Sequence, residues 1–192
     1  FGVTFSAGIL FFPLSYVLGD VLTEVYGYRS ARRVVWAGFA ASAYMSFMSF
    51  VIVGLPPAKG RELQGAYELV YGQTPRIVFA SMAAFWAGEF SNAFVMARMK
   101  VWTQGKHLWT RTIGSTVVGQ GVDSLIFYPV AFLGVWSTEQ VIAILFTNYA
   151  MKVLWEVAFT PITYKIVNFL KRAEDVDIFD DHTDFTPFSL RN

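Results

Sequence analysis

Acidic, amide and basic side chains recur inside apolar stretches of this chain at spacings that place them on shared helical faces. Glu89 is followed at i+3 by Asn92, with Phe85 at i−4 on the same face. Asp123 shares a stripe with Gln120, Gly119, Thr116 and Phe127. Asn148, Lys152 and Glu156 recur every four residues, an arc of about 80° on a helix of 3.6 residues per turn. Asp20 has Tyr16 at i−4, Thr23 at i+3 and Glu24 at i+4. A charge at the centre of a membrane span costs roughly 2.5–3.5 kcal/mol on insertion scales, so such groups require internal partners or a water-filled cavity. Two acids at mid-depth on separate helices, Glu89 and Asp123, need a cation, a donor-rich ligand or a proton. The plainer reading of Lys152 and Glu156 is an intrahelical ion pair, and that of Glu24 a pair with Arg29 or Arg33 at the interface. Tyr16, Phe85, Trp86, Phe127 and Trp155 lie near these faces. Most such aromatics serve as packing or interface-belt residues, and one or two would suffice as a stacking platform, typically worth about 1–3 kcal/mol for a nucleobase. The pattern describes a pocket with more acid than base, suited to a small, planar, donor-rich solute.

The elements that must position these groups follow from composition. Of 192 residues, 55% are apolar and 15% charged, whereas soluble domains run at roughly 25% charged. The mean hydropathy is +0.45, and 19 Phe contribute to more apolar surface than one small core could bury. A membrane is the natural second solvent. Crossing roughly 30 Å of hydrocarbon takes about 20 helical residues, and five runs of that order occur, at 4–22, 34–53, 77–96, 113–133 and 141–170. Pro161 is a candidate kink in the last. Gly27, Gly54-Leu55-Pro56-Pro57, Gly105 and the stretch from Gly134 to Thr138 mark the connections.

Lys and Arg cluster at Arg29, Arg32 and Arg33, at Arg98, Lys100, Lys106 and Arg111, and at Lys171-Arg172, which assigns these three regions to the cytoplasmic side. A sixth span upstream of Phe1 would then place both termini inside. The expectation is an all-α membrane protein of about six transmembrane helices, with residues 1–172 forming the helical domain and 173–192 a solvated acidic cytoplasmic tail. A net charge of +1 spread between apolar runs argues against a nucleic-acid surface. The absence of Cys excludes disulfides and thiolate chemistry, and His107 and His182 fall in exterior segments, so no metal, cofactor or catalytic residue is expected. Gly38, Ala41 and Ser42 would permit close helix pairing in a homo-oligomer.

Four segments carry a resemblance. They are Phe12-Pro13-Leu14-Ser15-Tyr16 with Gly19-Asp20-Val21-Leu22-Thr23-Glu24-Val25-Tyr26-Gly27 and Ala31-Arg32-Arg33; Gly88-Glu89-Phe90-Ser91-Asn92 leading to Lys100; Thr112 to Gly121 with Asp123-Ser124; and Asn148-Tyr149 with Lys152-Val153. Together they resemble the queuosine-precursor transporter family, also called the vitamin uptake transporter family. The resemblance implies a bacterial or archaeal inner-membrane protein, similar to the substrate-binding component of energy-coupling-factor vitamin transporters. It also implies import of 7-deazaguanine bases such as queuine, preQ1 or preQ0. One carboxylate, Asp123 or Glu89, would accept the ring N–H and exocyclic amine together. Asn92, Gln120, Asn148 or Lys152 would serve the carbonyl, and Glu156 or Asp20 would receive an aminomethyl cation.

Two other readings compete. One is a substrate-binding subunit energised by a separate ATPase, since the chain holds no Walker loop; the preferred reading requires no such partner. The other is an intramembrane enzyme using Asp20 and Asp123 as acid and base, for which no nucleophile motif or metal-ligand spacing is present.

Overall fold

The computed structural model describes residues 10–56, 64–72 and 75–189, and among them the chain is helical without a β-strand. Five helices follow in order: α1 Phe12–Gly54, α2 Gln64–Tyr71, α3 Pro75–Trp102, α4 Leu108–Phe132 and α5 Thr138–Glu174. The start of the first expected run, 4–9, lies outside the described residues.

Helix α1 contains two of the expected runs, and the connection between them contracts to one residue. Gly27 has φ 78° and ψ 169°, a backbone region essentially reserved for glycine. The chain is helical on both sides of it, so the loop expected between 22 and 34 is absent. Ser15 and Gly38, twelve and eleven residues from Gly27, nevertheless line one cleft. Since those stretches measure about 16–18 Å along a helix, the limbs 12–26 and 28–54 must fold back towards each other.

Helices α3 and α4 run past the ends expected for them, to Trp102 and back to Leu108, because Lys100 and Arg111 are buried and paired instead of lying in a solvated loop. The two helices meet at glycines. A Cβ on Gly119 would stand 2.7 Å from the Asn92 Cβ, and one on Gly88 would stand 2.9 Å from the Asp123 Cβ. Such small residues let backbones approach closely where no side chain could fit. At the far end Arg76 donates to the carbonyls of Val130 and Leu133, completing the last turn of α4. Helix α5 opens with a capping box in which Ser137 and Gln140 bond reciprocally, and it continues through Pro161 to Glu174.

Helix α1 packs on α3 and α5, and α4 packs on the same two, which closes a four-sided bundle. Its polarity is reversed relative to a soluble domain. Asp20, Glu24, Asn92, Lys100, Arg111, Gln120, Asn148 and Glu156 are buried, whereas Phe47, Phe79, Phe146 and Phe169 are each more than 60% exposed. Helices Phe12–Gly54 and Thr138–Glu174 are long and apolar enough to cross a membrane. The apolar outer faces and charged interior are those of a membrane protein.

Residues 175–189 are not a freely solvated tail. They lie against α1, with Asp180 buried and accepting the Tyr28 backbone N–H at 2.9 Å, and with the Ile178 N–H donating to the Val25 carbonyl at 3.2 Å. The break at Gly27 frees those backbone groups, and the tail satisfies them.

Replacing Gly27 by Ala is expected to destabilise the protein by about 1–3 kcal/mol, since its Cβ would also meet the Ile178 Cγ2 at 2.9 Å. Thermal unfolding in detergent checks this, with Gly54→Ala, whose Cβ meets nothing within 4 Å, as the control that leaves Tm unchanged.

Candidate functional site

The elbow of α1 encloses a cleft of about 240 Å³ against α3. Ser15, Gly19 and Thr23 line it from the first limb, Val34, Val35 and Gly38 from the second, and Phe85, Glu89 and Asn92 from α3. Glu89 stands beside Gly19, whose missing side chain leaves the carboxylate room: a Cβ there would lie 4.0 Å from its Oε2. Gly38 faces the Phe85 ring of its own chain, and a Cβ on it would lie 3.2 Å from the Phe85 Cζ, so this small residue serves packing within the protomer.

Behind the cleft the Asn92 Nδ2 donates to the Asp20 Oδ1 at 3.3 Å. Asp20 is wholly buried, and its acidic neighbours are Glu156, Glu89 and Glu24. The Tyr16 hydroxyl is within electrostatic range of Glu89, Asp123, Asp20 and Glu156. Tyr16 Oη, Asp20 Oδ2, Asn92 Oδ1, Gln120 Oε1 and Glu156 Oε1 are buried without a hydrogen-bond partner among the described residues. So are Thr116 Oγ1, Ser124 Oγ and the Trp155 indole N–H. A buried polar atom left unpaired costs about 1–3 kcal/mol, so this concentration, drawn from α1, α3, α4 and α5, has the character of a ligand site.

Other expected site residues have found protein partners. Lys152 pairs across to Asp123 on α4 at 2.9 Å, and this replaces the plainer reading of an intrahelical pair with Glu156. The same contact means that Asp123 is not an unpaired acid. The Lys152 ammonium also lies 5.0 Å from the centroid of the Phe12 ring. Asn148 donates to the Ile144 carbonyl at 3.0 Å. Of the five aromatics, Phe85 alone is in the cleft wall. Tyr16 stacks on Phe12 with centroids 4.2 Å apart, and Trp155 packs edge-on against Phe159. Phe127 joins Tyr128 and Phe132, while Trp86 sits in a cluster with Trp36, Phe90 and Phe188.

Sequence reasoning missed the ionic cluster one turn from Asp20. Glu24, fully buried, receives two bonds of 2.7 Å from Arg111 and one of 2.7 Å from Lys171, with Lys100 at 3.9 Å. These replace the expected pairing with Arg29 or Arg33, because the Glu24 face turns inward to α3, α4 and α5. Arg111 spends its remaining donors on Thr103 and on the carbonyls of Gly105 and Lys106. Lys100 and Lys171 also hold Asp177, at 2.5 and 2.8 Å. The usable signal was position: Lys100 and Arg111 stand within a turn or so of the expected ends of their spans.

The family model described as "Putative vitamin uptake transporter" matches residues 6–166. The chain belongs to that family. It is a family of transporters and not of enzymes. A Bacillus subtilis protein named "Probable queuosine precursor transporter" is 30% identical over 165 residues, covering 85% of this chain and 72% of that protein. An Escherichia coli K12 protein named "Queuosine precursor transporter" is 25% identical over 173 residues, covering 88% and 76% respectively. No solved structure gives a significant match.

Two outcomes are expected from the ionic cluster of this transporter. Replacing Glu24 by Ala strands Arg111 and Lys171 and should cost roughly 3–5 kcal/mol, read as loss of thermal stability in detergent. Burial pushes the Asp177 carboxyl up, but the hydrogen bonds from Lys100 and Lys171 outweigh it and hold it below the ordinary 3.8. A lowered folded value means that this stabilisation is complete above about pH 4 and is lost as pH falls through the folded value. The protection of the Ile178 amide against hydrogen exchange, taken relative to the intrinsic rate at each pH, should therefore be constant from neutral pH to about pH 4 and fall below it.

Proposed function

We propose that this chain is a multi-pass inner-membrane importer of 7-deazaguanine bases, the precursors of queuosine, with the cleft in the α1 elbow as its solute site. One observation carries the reading: Glu89 and Asn92 face a cleft walled by Phe85, and unpaired buried oxygens of Asp20, Tyr16 and Glu156 lie behind it. The names of the relatives support the same solute class.

A planar base entering the cleft would stack against Phe85. Its adjacent ring N–H and exocyclic amine would be accepted together by the Glu89 carboxylate, which has room beside Gly19. Glu89 takes precedence over Asp123 in this role because Asp123 is neutralised by Lys152. Asn92 bridges the cleft to Asp20, and Asp20 with Glu156 would receive a cationic aminomethyl group where the solute carries one. Gln120 contributes a further buried amide from α4. In this reading the helices belong to a bundle of about six spans, the Arg- and Lys-rich connections and the C-terminus face the cytoplasm, and uptake needs no ATPase partner.

Uptake of a labelled 7-deazaguanine base into proteoliposomes holding only this chain tests the proposal, with guanine as competitor. Saturable uptake that guanine does not displace is the expected result. Tight binding without uptake would convert the protein into a subunit of an energised importer, and the absence of both binding and uptake would overturn the reading. Glu89→Gln should lower uptake at least tenfold, a loss of about 1.4 kcal/mol in solute binding, with the folded protein retained in the membrane. Asp123→Asn should also lower uptake sharply, because it releases Lys152, whose charge already reaches Glu89.

A further inference from the structure

We propose that residues 175–189 form a latch on a hinge at Gly27, holding the two limbs of α1 at the angle that shapes the cleft. The inference rests on the cleft as the transport site, and the latch itself is read from the backbone chemistry of the break. A helix interrupted in mid-course exposes carbonyls on one side and N–H groups on the other. Here one segment meets a group on each side. The Asp180 carboxylate caps the second limb by accepting the Tyr28 N–H at 2.9 Å, and the Ile178 N–H caps the first by donating to the Val25 carbonyl at 3.2 Å. Lys100 donates to the Glu24 carbonyl at 2.5 Å and to the Ile178 carbonyl at 2.6 Å, tying limb, α3 and latch at one point.

The segment then runs along one face of the second limb. Tyr28, Arg32 and Trp36, spaced four apart, donate to the carbonyls of Phe185, of Asp184 and Thr186, and of Pro187, at 2.9–3.1 Å. The residues of that limb that line the cleft, Ala31, Val34, Val35 and Gly38, are interleaved with these. A change in the latch therefore reaches the cleft through a single rigid helix. The latch is held by polar contacts and by rings: side chains of the second limb donate to its backbone, Phe185 packs on Tyr28 and Phe94, and Phe188 lies against Trp36 and Trp86. Ile178, Phe179 and Phe188 nevertheless remain 39–66% exposed, so the segment is less deeply buried than the helices it joins and opens at lower cost than they do. Its root, Asp177, shares Lys100 and Lys171 with Glu24, so release at this point redistributes the cations around the buried acid.

The chain contains no Cys, so introduced thiols can be labelled singly. Spin labels at Leu14→Cys and Met45→Cys, both about two-thirds exposed and one on each limb, would report the limb distance by electron–electron resonance in lipid nanodiscs. The native latch should give a narrow distribution, and Arg32→Ala combined with Asp180→Ala should shift and broaden it. An unchanged distribution in the folded variant would overturn the latch. A second arm leaves every latch residue but one intact: Phe94→Cys with Phe185→Cys, whose rings are 5.2 Å apart, joined by a short cleavable thiol reagent. The joined protein should lose uptake at least tenfold and recover it on cleavage, whereas uptake at the native rate while joined would overturn the latch. The distance measurement needs no solute, so its failure is separable from a failure of the 7-deazaguanine reading, which would show as absent uptake in the native chain.

Discussion

A carboxylate removed from water must be given other donors, and Glu24 is removed completely. Its donors come from three other helices: Arg111 of α4 through a bidentate pair, Lys171 of α5, and Lys100 of α3 at longer range. None of these can slide without leaving a bare charge inside the bundle, so the cluster sets the register of all four long helices at one end. Asp20 lies one turn from Glu24 on the same face. The constraint that positions Glu24 therefore also aims Asp20 at Asn92 and Glu156, and these buried polar groups inherit their placement from the ionic cluster one turn away.

The buried polar residues divide by whether the protein satisfies them. Glu24, Lys100, Arg111, Lys171 and the Asp123–Lys152 pair have partners within the chain and act as cross-links between helices. Asp20, Tyr16, Gln120 and Glu156 retain unpaired oxygens among the described residues, and Glu89 lines the cleft. Their desolvation is a standing cost to the folded state, of the kind that proteins tolerate where a ligand supplies the missing bonds. Gly19, Gly88 and Gly119 make this division possible, since they allow helices and a carboxylate to approach where any side chain would intrude.

Much of the plan was legible in the order of residues. Apolar runs of about 20 residues located four of the long helical stretches to within a turn or two of their cores, and the turn residues Gly27, Gly105 and Gly134 all adopt positive φ. Asp20, Glu89 and Asn92 were singled out from their helical spacing and do converge on one region. The errors were of another kind. Lys152 chose Asp123 over Glu156, Glu24 chose Arg111 over its own neighbours in sequence, and the acidic tail docked on α1. A partner nearby in the chain was the expectation for Glu24, one of two readings for Lys152, and solvent was the expectation for the tail; in each case groups remote in the chain prevailed.

The sequence by itself determined the solvent of this protein, the periods of its helices and the identity of the polar groups that must be hidden. Those properties are local, since hydropathy, spacing and glycine's access to positive φ act within a few residues. Only the tertiary structure decided which charges neutralise each other, which oxygens stay unpaired and how sharply α1 doubles back. Ion pairs and hydrogen bonds depend on separations of a few ångströms between residues up to 157 positions apart, and such separations exist only once the helices have packed.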